Sequence, residues 1–142
     1  MTPGSGPAGS GRILVAYDGT PGAHLALERT AEVAAALSLD VGIVSVTQER
    51  IGGTSEDPWS PVSAHAGQLH EAVAWLEERG LHPTTHEPTG AAGPEIVRTA
   101  EDFGYDMIVI GSRGLGPLRR AIVGSVSQYV ATHASATVII AR

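Results

Sequence analysis

The chain is 142 residues long, enough for one domain with a sizeable hydrophobic core, and its formal net charge is −6. This acidity argues against a general nucleic-acid-binding protein, which needs a basic surface to neutralise phosphates. Each of the nine basic residues is an arginine, so the chain lacks the lysine on which P-loop kinases and ATPases and response-regulator receivers depend.

Residues 1–11 differ in composition from the rest of the chain. They are mostly small and polar residues with proline, and they lack both the charged start and the apolar core of a secretory signal. We therefore expect a disordered tail at 1–11, followed by a single domain at 12–142. No apolar run in the sequence approaches the roughly 18 residues of a membrane span, and cysteine is absent, which is compatible with a cytoplasmic location.

Strand-like and helical patterns alternate along the expected domain, which indicates βαβ units and a mostly parallel sheet. The run at 107–110 is the most continuously apolar and is typical of a central strand, whereas 81–87 is polar and is typical of an edge strand. The expected strands cover residues 13–17, 41–47, 81–87, 107–110 and 137–141.

Helices are expected between these strands. Thr20 and Pro21 are typical of an N-cap and a first helical residue, and the apolar spacing that follows continues to Ser38. The other predicted helices run from about residue 69 to Gly80, from 93 to 104 and from about 125 to 133, and residues 48–63 are expected to form a loop.

A glycine motif begins where the apolar run at 107–110 stops. Gly111 and Gly114 are followed, after nine residues, by Gly124 and Ser125. Glycine lets a backbone approach a ligand closely, and Gly124 and Ser125 open a predicted helix whose free N–H groups attract anions. The chain is locally basic here, because arginines such as Arg113 lie in this stretch and no acidic residue follows residue 106. The motif therefore predicts a phosphate cradle.

The spacing of this motif closely resembles the nucleotide-binding signature of the universal stress protein family. The resemblance extends over nearly all of the chain from Arg12. It implies a Rossmann-like α/β fold: an open, mostly parallel sheet of five strands in the order 3-2-1-4-5, with helices on both faces. It also implies the ATP-binding subgroup of the family, and hence ATP or another adenine nucleotide as the ligand, bound with Mg²⁺.

The same resemblance implies roles for individual residues. Asp18 matches a family aspartate that lines the nucleoside pocket, so its carboxylate is expected to accept hydrogen bonds from ribose hydroxyls. By position alone, Asp18 could instead form a turn and cap the following helix. Val46 is similar in position to the family residue whose backbone meets the adenine. The implied nucleotide-binding residues are Ala16, Tyr17, Asp18, Val46, Ile110, Gly111, Arg113, Gly114, Gly124, Ser125 and Val126.

The leading functional prediction is a nucleotide-dependent regulatory or stress-response module. No general base is evident beside the phosphate motif, and no catalytic residue is predicted. The six histidines lack the spacing and partners of metal ligands, so no metal site is predicted. Two alternatives stay open: a slow ATPase or nucleotidyl-transfer enzyme of related fold, and a dimerisation module that prefers AMP or a cyclic nucleotide.

The last predicted strand suggests how the chain assembles. Residues Ala136 to Ala141 are apolar and β-branched, and the expected strand order puts them at a sheet edge. Antiparallel pairing with the same strand of a second copy would satisfy the open edge, and the family resemblance implies the same arrangement. We therefore expect a homodimer, with no nucleic-acid or membrane partner.

Overall fold

The computed structural model describes residues 11–47, 61–112 and 124–142, with the backbone alone at 61–66. Nearly all of the predicted tail and most of the predicted loop lie outside the described residues, as do Arg113 and Gly114. Strands and helices alternate along the described chain: β1 (Arg12–Ala16), α1 (Pro21–Leu37), β2 (Asp40–Val44), α2 (Pro61–Glu77), β3 (Thr84–His86), α3 (Ala92–Asp102), β4 (Met107–Gly111), α4 (Ser125–His133) and β5 (Thr137–Ala141).

The strands form a single parallel sheet in the order β3-β2-β1-β4-β5. In the register of the two central pairs, Val15 lies beside Ile43 on β2 and beside Val109 on β4. The predicted Rossmann-like fold and strand order are confirmed.

Burial explains which strands are central. In β1, Ile13, Leu14 and Val15 are all 0 % exposed, as expected for a strand covered by helices on both faces. The sequence of β3 is polar, and this strand lies at the edge of the sheet. This strand is shorter than the predicted 81–87 for two reasons. The Leu81 amide still donates to the Leu76 carbonyl at the end of α2, and Pro83 has no N–H to donate to a neighbouring strand.

Alternate side chains of the strands point into two cores, one on each face of the sheet. One core contains Ile13, Val15 and Ile43 and is closed by α1 and α2. The other contains Leu14 and Ile108 and is closed by α3 and α4. Right-handed crossovers force this change of face where the strand order reverses, between β1 and β4. A crevice therefore opens at the carboxyl ends of these strands, where ligands of open α/β sheets bind.

The helix ends follow the predicted chemistry with one exception. The Thr20 side chain accepts a hydrogen bond from the Ala23 amide, and Gly80 and Gly104 have φ angles of 80° and 70° after α2 and α3. The exception is the start of α2. This helix begins at Pro61, inside the predicted loop, because proline is well suited to a first helical position. None of the helices in the described residues is long and apolar enough to cross a membrane.

Candidate functional site

The end of β1 carries the first group of predicted site residues. Ala16 and Tyr17 are buried, and the exposed Asp18 follows them. Asp18 Oδ1 accepts hydrogen bonds from the Thr20 amide at 3.0 Å and from the Thr20 hydroxyl at 2.6 Å. Within the described part of the chain, the other oxygen, Oδ2, has no hydrogen-bond partner. Asp18 therefore holds the turn before α1, and its second carboxylate oxygen is available for a further hydrogen bond.

Two glycines bring the start of α1 against the end of β4. A Cβ on Gly22 would lie 2.8 Å from the Ser112 carbonyl oxygen, and a Cβ on Gly111 would overlap the Gly22 carbonyl. The two backbones touch only because both residues lack a side chain. Gly111 was predicted, but Gly22 was not. Its sequence signal is a glycine in the second position of a helix, where this residue is unfavourable.

The turn between β1 and α1 also meets α2. Gly19 has a φ of +82°, and a Cβ there would lie 2.5 to 2.9 Å from the carboxamide atoms of Gln68. Gln68 thus covers the turn that contains Asp18. Nothing in the local sequence pattern indicates this contact, since the two residues belong to elements that are distant along the chain.

The end of β2 carries Val46 between two residues that are bonded toward β3. The Ser45 amide donates to the His86 carbonyl, and Thr47 exchanges backbone bonds with Pro88 and Gly90. Because successive residues of a strand direct their N–H and C=O groups to opposite neighbours, the N–H of Val46 points to the side of β1. β1 has ended there. In the part of the chain that is described, this N–H has no hydrogen-bond partner.

The start of α4 carries the second half of the glycine motif. Gly124 is the N-cap, and because it has no side chain it makes no side-chain cap hydrogen bond to the amides of the first turn. The first amides of a helix lack intrahelical acceptors, and Ser125 adds an exposed hydroxyl beside them. The buried Ser127 hydroxyl donates to the Gly124 carbonyl at 3.0 Å, which fixes the cap. Such an end can bind an anion.

Several predicted site residues share the core between the sheet and α3 and α4. Ala16 and Ile110 are buried members of it, and Val46 and Val126 pack against it. The ends of β1, β2 and β4 and the start of α4 are thus fixed to one another by apolar contacts. The roles of Arg113 and Gly114 remain predictions, because both lie outside the described residues.

The crevice contains a residue with a shifted pKa, Tyr17, and a separate cavity lies elsewhere on the protein. Burial raises the pKa of Tyr17, and the carboxylates of Glu71 and Asp18 raise it further, so its phenol is neutral at physiological pH. A cavity of about 390 Å³ lies at the opposite edge of the sheet, near Tyr105, Asp106 and Ser135. It contains none of the predicted site residues.

Comparison with known proteins gives a consistent family. The model of the universal stress protein family matches residues 9–142. Universal stress protein YxiE of Bacillus subtilis is 27% identical over 145 residues, which cover 92% of this chain and 98% of that protein. A universal stress protein structure from Archaeoglobus fulgidus has a TM-score of 0.77 at 25% identity, over 92% of this chain and 98% of the other. The structure of the A. fulgidus universal stress protein in complex with dAMP has a TM-score of 0.70 at 25% identity, covering 92% and 97%.

Proposed function

Because this chain belongs to the universal stress protein family, we propose that it binds an adenine nucleotide in the crevice at the ends of β1, β2 and β4. The observation that carries the proposal is a pair of polar groups on neighbouring strand ends that have no partner among the described residues, Asp18 Oδ2 and the Val46 N–H. The A. fulgidus relative that was solved with dAMP supports the same ligand class.

Each open group suits a different part of the nucleotide. Asp18 Oδ2 accepts a hydrogen bond from a ribose hydroxyl, and the Val46 N–H donates to a ring nitrogen of the base. The amides at the start of α4 and the Ser125 hydroxyl bind phosphate oxygens, and Arg113 adds positive charge. Six of the remaining predicted residues line the crevice: Ala16, Tyr17, Ile110, Gly111, Gly124 and Val126. Gly114, which lies outside the described residues, is proposed to contribute to phosphate binding.

The finer proposal is ATP with Mg²⁺, held by a cytoplasmic regulatory module that spans residues 12–142. The sequence offers no lysine to stabilise a transferring phosphoryl group and no evident base beside the glycine motif, so hydrolysis is slow or absent. AMP or a cyclic nucleotide as the preferred ligand, and a slow ATPase or nucleotidyl-transfer activity, are the competing outcomes of the test.

Two measurements test the nucleotide. Mass spectrometry of the small molecule released on denaturation is expected to identify an adenine nucleotide, and calorimetry is expected to show ATP binding that Mg²⁺ strengthens. Gly124→Val is expected to weaken binding of ATP much more than binding of adenosine, because the side chain obstructs the approach of phosphate. No binding of ATP, AMP or cyclic AMP at millimolar concentration would end the proposal, and turnover on the order of 1 to 10³ s⁻¹ would make the protein an enzyme.

We also propose that the chain forms a homodimer through β5. This element is an edge strand, and Val138, Ile139 and Ile140 are only partly buried within one chain. Pairing of two copies would satisfy the open backbone groups and cover this apolar strand. Light scattering should therefore give twice the mass of the chain, and Ile139→Pro should give monomer or unfolded protein because it removes a ladder donor. A wild-type monomer that is independent of concentration would contradict the dimer.

A further inference from the structure

Ser45 is a polar residue in the middle of an apolar sequence, and it is 0 % exposed. Its hydroxyl donates a hydrogen bond to the carbonyl oxygen of Tyr17 at 3.0 Å. Tyr17 directly follows β1, and its amide still donates to the Val44 carbonyl of β2 at 3.0 Å. The hydroxyl of Ser45 therefore acts at the point where the two strands separate.

A regular parallel ladder would continue one bond further. When a residue donates its N–H to one residue of the neighbouring strand, its C=O accepts from the amide two residues farther along that strand. The Tyr17 amide donates to Val44, so the Tyr17 carbonyl should accept from Val46. In the structure the Ser45 hydroxyl donates to this carbonyl and the Val46 amide does not, and among the described residues the Val46 N–H is left without a partner.

The other side of β2 stays closed beyond this point. The Ser45 amide donates to the His86 carbonyl at 2.9 Å, and the Thr47 amide donates to the Pro88 carbonyl at 2.9 Å. The Gly90 amide in turn donates to the Thr47 carbonyl at 2.9 Å. β2 is thus held by the segment that follows β3 while it is separated from β1. The Val46 N–H consequently has a fixed direction into the crevice.

We propose that Ser45 is a positioning residue for base recognition: its hydroxyl bonds to the Tyr17 carbonyl where the ladder would otherwise close, and so keeps the Val46 N–H open for a purine ring nitrogen. The inference rests on the proposed binding of an adenine nucleotide and adds the residue that makes the donor available. N1 of adenine is a hydrogen-bond acceptor, so it can accept from the Val46 N–H. N1 of guanine carries a hydrogen, so two donors would face each other. Ser45 therefore also favours adenine over guanine.

Hydrogen exchange of the Val46 amide tests the first step without any ligand. In the wild type this amide should exchange rapidly, because it has no acceptor in the described part of the chain. In Ser45→Ala the Tyr17 carbonyl loses its donor, so the ladder should close and the Val46 amide should become protected. Slow exchange in the wild type, or no change in the variant, would overturn the proposal.

Binding of ATP and of 1-deaza-ATP, which has carbon in place of N1, tests the second step. Ser45→Ala should weaken ATP binding by about three- to tenfold, the range for one neutral hydrogen bond, and should change binding of 1-deaza-ATP little. Ser45→Thr retains the hydroxyl and should restore ATP affinity. The control is Thr30→Val, which removes an equally buried hydroxyl bonded at 2.8 Å to the Ala26 carbonyl within α1 and should leave ATP affinity unchanged.

If Ser45→Ala lost the same factor of affinity for ATP and for 1-deaza-ATP, Ser45 would have a purely structural role and the inference would be overturned. If the wild type bound no adenine nucleotide, the proposed function would fail, and amide exchange alone would decide whether Ser45 opens the ladder.

Discussion

The two ends of the central strands differ in how their polar groups are paired. At the start, the Arg12 amide donates to Asp106 Oδ2 at 2.8 Å, and the Arg12 guanidinium donates to the Phe103 carbonyl and lies 4.3 Å from the centre of the Tyr105 ring. The Tyr105 hydroxyl is 2.7 Å from His86 Nε2. We call Arg12, Phe103, Tyr105 and Asp106 the start cluster, and His86, at the end of the edge strand β3, is joined to it through the Tyr105 hydroxyl.

The buried polar side-chain atoms of the start cluster are paired, with one exception. Within the described residues, Arg12 Nε is the buried side-chain atom left without a partner. At the carboxyl ends of β1 and β2, Asp18 Oδ2 and the Val46 N–H have no partner in the described part of the chain. Paired buried groups stabilise a fold, whereas open groups at a crevice are available to a ligand. The comparison therefore assigns stability to one end of these strands and recognition to the other.

The largest expected effect is on recognition, at Asp18. Asp18→Ala should weaken adenine-nucleotide binding by about 1.5 to 3 kcal/mol, the range for a hydrogen bond to a charged group. Because Asp18 Oδ1 also holds Thr20, the alanine variant additionally loosens the turn. Asp18→Asn is the matched control for that effect, since its amide oxygen can still accept from Thr20. Calorimetry should show weakened nucleotide binding by both variants. Full affinity in the asparagine variant would mean that Asp18 only holds the turn.

A smaller effect is expected on stability, at the start cluster. Gly42 lies under Tyr105, and a Cβ there would overlap the Tyr105 hydroxyl. Gly42→Ala should lower the free energy of unfolding by about 1 to 3 kcal/mol, as overpacking does, and should leave the nucleotide affinity of the folded protein unchanged. The control is Gly67→Ala in α2, whose added Cβ meets no atom within 4 Å. Urea titration should find the control at least as stable as the wild type. Loss of nucleotide binding in Gly42→Ala at unchanged stability would contradict the assignment of stability to the start cluster and of recognition to the carboxyl ends of the strands.

The smallest expected effect is a pH dependence of stability that comes from His86. Burial lowers the pKa of His86, and the nearby Arg12 guanidinium lowers it further. The Phe103 and Tyr105 rings also pack against His86 and supply no negative charge at physiological pH. Since the folded pKa lies below the unfolded value of about 6.5, the unfolded chain binds more protons. Stability should therefore fall as the pH drops below about 6.5, until it passes the folded pKa.

Comparison with His86→Gln isolates this contribution from that of the other histidines. Urea titrations between pH 7.5 and pH 5 should show a steeper loss of stability in the wild type than in the variant. Equal slopes would mean that His86 titrates in the fold as it does in the unfolded chain, and nucleotide affinity at a given pH should be the same in both proteins.

Local sequence signals account for much of the fold. Thr20 and Pro21 start α1, and Gly80 and Gly104 follow α2 and α3 with left-handed backbones, as predicted. Predicted boundaries were wrong where contacts from elsewhere decide them. The predicted strand at 41–47 is regular only to Val44, because the Ser45 side chain replaces the next ladder bond.

The sequence by itself determined the alternation of strands and helices, the family, and the positions of Asp18 and the glycine motif, because caps, apolar periodicity and glycine spacing act over a few residues. Only the tertiary structure decided that Gly22 touches Gly111, that Gln68 covers Gly19, and that Ser45 opens Val46 toward the crevice. These contacts join residues that are far apart along the chain, and a one-residue change of register would remove them. Local patterns set which elements form, and their packing sets which polar groups are left open for a ligand.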